Sequence, residues 1–117
     1  MRTLQIPLNN NDAEEQLLHI WIADTFFARL KGLLGTAALA GNQGMLLRNC
    51  NSVHMIGMRY ALDVVYLSGA GQILKLVENL QPWQVSLCWD AQDTLEVKAG
   101  TISRIGWQVG DNLQWNE

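Results

Sequence analysis

Apolar and polar residues alternate along much of this chain at the period of two that an extended backbone imposes on its side chains. Leu4, Ile6 and Leu8 share one face of a first strand, in which Pro7, lacking an amide proton, points to a sheet edge. Asn9 to Asp12 reads as a turn, and the run from Gln16 to Ala23 carries the β-branched and aromatic residues of a second strand that pairs with the first as a hairpin. From Met45 onward the chain reads as further short strands: GMLLR, SVHMIGM, LDVVYLS, QILKLVEN, VSLCW, TLEVKA and DNLQW. The SGAG at 68–71 is the short glycine-bearing loop of an antiparallel hairpin, and WDAQD at 89–93 is a second polar turn. In TLEVKAG, Leu95 and Val97 face one side, with Glu96 and Lys98 on the other.

The period changes to three and four between Asp24 and Gly35. Phe26, Phe27, Leu30, Leu33 and Leu34 recur at helical spacing, Asp24 stands as N-cap, Arg29 and Lys31 oppose the helix dipole, and Gly35 ends the run. The pattern predicts one helix of about 10 residues there, and AGTISRIG near the C-terminus suits a short helical turn. Gly32 inside the longer helix costs roughly 1 kcal/mol against Ala, which implies close packing at that point. The fold class expected is mainly β (α+β): a small, mostly antiparallel, partly closed barrel-like sheet with one helix closing an end.

At 117 residues the chain is long enough for one hydrophobic core, so residues 1–117 are expected to form a single domain. With 49% apolar and 16% charged residues it is globular, not disordered. Eight Lys and Arg against eleven Asp and Glu, with the basic residues scattered, argue against a nucleic-acid partner. No segment approaches the ~18 apolar residues that span a bilayer, and the N-terminus carries no signal-like apolar run, so no membrane and a cytoplasmic location are expected. Cys50 and Cys88 then read as free buried thiols.

Candidate chemistry collects in Cys50–Ser68. Cys50, His54 and Asp63 have the composition of a thiol triad, but four extended residues span ~13 Å while a nucleophile and its base must meet at ~3.2 Å. Only a sharp bend at Asn51 and Ser52 would join them. A catalytic zinc takes three protein ligands, and His19, His54, Cys50 and Cys88 are the only nitrogen or sulfur candidates; no metal and no cofactor are expected. If 53–58 is a strand, His54, Ile56 and Met58 share a face, and with Asp63 they would line a shallow groove. Of the five tryptophans, Trp83 and Trp107 lie in loops and are the candidates for a contact surface.

These residues also fall into an ordered series: RLKGLLG at 29–35, GMLL at 44–47, CNSVHMIGMRYALDVVYL at 50–67, LQPW at 80–83, LEVKAG at 95–100 and VGD at 109–111. The series resembles the bacterial and archaeal "domain of unknown function 192" family from about Asp24 to the end of the chain. The resemblance implies a small, mainly β fold with a helix, near-barrel in shape, and no established activity. Many members carry an aromatic residue and a lysine near His54 and Ile56, and many carry secretion signals, which are not expected here. Arg29, Met58, Asp63 and Glu96 fall on the family's motifs, and a buried ion network of Arg29, Asp63 and Glu96 would fix the barrel.

Two functional readings follow. The first is a small non-enzymatic module that binds a small ligand or a protein partner through a groove at His54, Met58 and Asp63, with Arg29, Glu96 and Trp83 around it. The alternative is a hydrolase or thiol enzyme using Cys50, His54 and Asp63. A third possibility is a structural subunit with its interface near Trp83 and Trp107.

Overall fold

In a computed structural model of the chain, the residues described are 3–8, 16–23, 42–55 and 58–115. They form β1 (Thr3–Leu8), β2 (Gln16–Ala23), β3 (Gln43–Arg48), β4 (Ser52–His54), β5 (Leu62–Leu67), β6 (Ile73–Leu80), β7 (Val85–Leu87), β8 (Asp93–Lys98) and α1 (Thr101–Ile105). The helix expected at 24–35 lies outside the described residues, and Arg29 and Gly32 lie there with it. The short helical turn expected in AGTISRIG is α1.

Six strands make one sheet in the order β1-β2-β3-β8-β5-β6, and β4 pairs with β7 in a separate two-stranded ribbon. The first hairpin forms as the alternation predicts, with Leu4 opposite Ile20 and Ile6 opposite Leu18. The second joins β5 to β6 through the SGAG loop, where the Ser68 hydroxyl accepts hydrogen bonds from the amides of Ala70 and Gln72. β2 and β3 run parallel, so the large sheet is mixed.

Three expectations need correction. Among the described residues the sheet does not close into a barrel: its order is open, with β1 and β6 at the two ends. The run 53–58 is not one strand, because β4 stops at His54, and DNLQW contributes only an isolated bridge between Gln72 and Asn112. Among the described residues, no helix is long and apolar enough to cross a membrane.

β5 explains the core. All six of its residues are buried, as expected for a strand flanked by two neighbours and covered on both faces. Val65 and Leu67 point to one face, where they meet Ile20, Leu46, Leu95, Val97 and, from α1 and beyond, Ile102, Trp107 and Leu113. Leu62, Val64 and Tyr66 point to the other, beneath Val53, Met55 and Met58 from the ribbon and its following loop. Burial of this kind stabilises by ~25 cal/mol per Å² of apolar surface, so the two faces share the folding energy.

Candidate functional site

Asp63 sits within β5 with no solvent exposure, on the α1 face of the sheet. Its carboxylate accepts three backbone hydrogen bonds: Asn79 N–H at 2.8 Å, Gly100 N–H at 3.0 Å and Ile102 N–H at 2.9 Å. Gly100 is the N-cap of α1 and offers no side chain, so Asp63 supplies the capping acceptor from another strand. Its place in the fold is that of a latch between β5, the end of β6 and the start of the helix.

Strand alternation separates the other candidates from it. Glu96 is opposite Val64 in register, which puts its side chain on the ribbon face while Asp63 faces α1. The two carboxylates are therefore on opposite sides of the sheet, and Arg29, the third member expected of an ion network, lies outside the described residues. Met58 is buried among Val53, Met55 and Leu80. His54 is exposed on the outside of the ribbon. A groove lined jointly by His54, Met58 and Asp63, or a Cys50–His54–Asp63 triad, would need side chains that point in three different directions. The Cys50 thiol donates instead to the Ser52 carbonyl at 3.1 Å.

Between sheet and ribbon lies a second polar cluster. Burial pushes the Tyr66 phenol above its ordinary value of 10.0; Ser86 partly offsets this, and Cys88, Cys50 and Glu96 push it further the same way. The Tyr66 hydroxyl makes no hydrogen bond of normal geometry among the described residues, although Ser86 is near enough to favour its ionised form. Both cysteines are free. Among the described residues, no group of three His, Cys, Asp or Glu side chains is placed to hold a metal ion.

The Tyr66 shift sets a pH dependence. Because the folded state holds this proton more tightly than the unfolded chain, the stability it contributes is complete below the ordinary value of 10.0 and declines as pH rises past it. Tyr66→Phe should flatten the loss of urea midpoint between about pH 9 and about pH 11 while costing about 1 kcal/mol or less at neutral pH. A variant that loses stability in alkali as steeply as the parent would assign the effect to another group.

The outer face of the ribbon is the third place where candidates meet. β4 and β7 pair with Ser52 opposite Leu87, Val53 opposite Ser86 and His54 opposite Val85. Val53 points inward, whereas Val85 and Leu87 are exposed and the half-buried Ser86 and Cys88 take the inner side. β7 is thus an amphipathic strand mounted with its apolar face to solvent. Trp83 and Trp89 stand in the turns at either end of β7 and are 68% and 82% exposed. Lys75 holds the strand in place, its Nζ donating to the Leu87 carbonyl at 2.9 Å and lying 5.9 Å from the centroid of the Tyr66 ring.

Trp83 is held in an unusual way. Gln84 N–H donates to the Gln81 carbonyl at 3.1 Å across a four-residue turn with Pro82 second and Trp83 third, and Trp83 N–H donates to the Met55 carbonyl at 2.8 Å. Positive φ at the third residue makes this a type II turn, whose third position is ordinarily glycine or asparagine. Here it is a tryptophan at φ 71°, a conformation that costs a bulky L-residue about 1–2 kcal/mol. Trp83 is among the residues expected at a contact surface and Trp89 is not, although the W-x-V-x-L-x-W spacing of 83–89 carries both. Trp107, expected as a surface candidate, is buried in the core beside α1.

Comparison with known proteins places this geometry in a context. Residues 7–115 match the profile of the DUF192 family, described as an uncharacterized ACR. The chain is 30% identical over 113 residues to a UPF0127 protein of Pyrococcus furiosus, covering 93% of this chain and 97% of that one. It is 29% identical over 99 residues to a UPF0127 protein of Thermococcus sibiricus, covering 80% of this chain and 64% of the relative, which is therefore longer than the match. Among solved structures, a candidate transcription regulator from Sinorhizobium meliloti 1021 superposes with a TM-score of 0.82 at 23% identity, covering 97% of this chain and 94% of that one. A protein of unknown function from Novosphingobium aromaticivorans DSM 12444 superposes with a TM-score of 0.76 at 19% identity, covering 97% and 84%. At these identities the two structures speak to the fold alone.

Proposed function

The chain belongs to the DUF192 family of uncharacterised archaeal and bacterial proteins, and from that premise we propose that it is a non-enzymatic module that binds a protein partner through the outer face of the β4–β7 ribbon. The observation that carries this reading is the inverted β7, whose apolar side chains Val85 and Leu87 face water while Ser86 and Cys88 face the protein. A strand of this pattern ordinarily buries its apolar side, because a shift of one residue would exchange the two faces at little other cost. Trp83 supports the same reading: a strained, left-handed position holds an indole that is largely exposed to solvent. The middle of the stripe is aliphatic, with no donors or acceptors for the hydroxyls of a sugar, which favours an apolar protein surface over a small polar ligand.

The test uses the full chain in living cells with p-benzoylphenylalanine in place of Val85, and in place of the exposed Ser103 on α1 as control. Irradiation should give a defined adduct from position 85 and none from 103. Trp83→Gly in the same chain should reduce that adduct at least about tenfold, the effect of losing an aromatic anchor. The same substitution should raise unfolding free energy by roughly 0.5–1 kcal/mol, since relief of the left-handed strain exceeds the added chain entropy of glycine. Equal labelling from both positions, indifferent to Trp83→Gly, would reject the ribbon as a recognition surface.

A further inference from the structure

Resting on that reading, we infer that the occupant of the ribbon face is a second copy of this chain, in a weak two-fold dimer. Three observations point to it. The stripe is palindromic by residue class about Ser86, with tryptophans at 83 and 89 and aliphatic residues at 85 and 87. A two-fold axis between the copies, crossing the strand over Ser86, therefore sets the Trp83 end of one copy at the Trp89 end of the other, and Val85 near Leu87. Each contact then occurs twice, and the association closes at two copies.

The second observation is charge. No Asp, Glu, Lys or Arg interrupts the stripe from 83 to 89, and Asp90 only adjoins its end. Beside the stripe stand His54, opposite Val85, and Lys75, bound to the Leu87 carbonyl, but the stripe itself carries no charge for two copies to set against each other. The third is area. The exposed parts of the two tryptophans with Val85 and Leu87 amount to on the order of 500 Å², taking ~150–250 Å² for a whole aromatic side chain. A pair of such faces buries at most about 1,000 Å², the threshold of a specific interface, which fits weak, reversible pairing and not an obligate dimer. The surface is also prearranged, since Lys75 fixes β7 and the turn at Trp83 is hydrogen-bonded on both sides, so little ordering cost is added on pairing.

Sedimentation velocity of the full chain from about 1 µM to about 1 mM tests this, with tryptophan emission and iodide quenching read on the same samples. The expected result is a shift from monomer to dimer across that range, accompanied by a blue shift of emission and loss of iodide access. Val85→Lys, which sets two ammonium groups beside the axis, and the Trp83→Gly/Trp89→Ser double variant should each remain monomeric throughout, with urea midpoints no lower than the parent's as the check on folding. A parent that is monomeric at about 1 mM overturns the inference, as does a dimer that neither variant weakens. Tryptophans shielded equally at every concentration also overturn it, because the chain itself would then cover the face. If the parent is monomeric while the photo-adduct at position 85 carries a different protein, the dimer fails and the binding reading stands.

Discussion

Replacing Asp63 with alanine is expected to lower the free energy of unfolding by about 3–5 kcal/mol, the largest effect of any substitution considered. The carboxylate receives the amides of Asn79, Gly100 and Ile102, all held in the fold by chain segments that pack around β5. Hydrogen bonds to a charged acceptor are worth roughly 1.5–3 kcal/mol each, and a buried donor left without a partner costs about 1–3 kcal/mol. The three are not additive, since water can enter once the side chain is truncated, which keeps the total below their sum. Against an overall stability of about 5–15 kcal/mol such a loss is severe. Asp63→Asn should cost about half as much. Its remaining oxygen can keep Gly100 and Ile102, which share Oδ2, while its amide group turns a donor toward Asn79. Equilibrium urea unfolding of the three proteins decides the matter: a change below about 1 kcal/mol in Asp63→Ala would mean that the latch is not needed.

Gly71→Ala is expected to destabilise by about 2–4 kcal/mol, for two separable reasons. At φ 89° any L-side chain is strained, and a β-carbon there would stand 2.8 Å from the Leu113 carbonyl oxygen. That carbonyl belongs to backbone that cannot rotate away, because Leu113 N–H donates to the Gly71 carbonyl at 2.9 Å. Gly100 provides the control. Its φ is 94°, but an added β-carbon would meet nothing within 4 Å. Gly100→Ala should therefore show the conformational part alone, about 1–2 kcal/mol. The difference between the two urea midpoints measures the steric part, and equal losses would remove the contact with Leu113 from the account.

The two substitutions also mark where the sequence was legible. SGAG was readable as a hairpin because a turn of that kind is local: Ser68, Ala70, Gly71 and Gln72 satisfy one another. Asp63 stood out in the sequence as a carboxylate ahead of an apolar run, yet its role was not readable there. Its three donors lie 16, 37 and 39 residues away, and no local pattern connects them. His54 and Met58 were joined in the reading by assuming an unbroken strand. The end of β4 at His54 separates them, sending Met58 into the core and leaving His54 on the outside.

The sequence by itself determined the strands β1, β2, β3, β5, β6 and β8, the β1–β2 and β5–β6 hairpins, the turn at α1 and the family. Each of these rests on local backbone geometry, on residue spacing or on ordered motifs. It also held the alternation of 83–89. Only the tertiary structure decided which face of a strand meets the core, that Asp63 and Glu96 part to opposite sides of β5 and β8, and that the apolar side of β7 looks outward. The physical reason is that a period of two assigns residues to two faces without naming the inner one. That choice is made by the neighbours that pack against the strand, and for β7 those neighbours, Tyr66 and its polar surroundings, cover the side of Ser86 and Cys88.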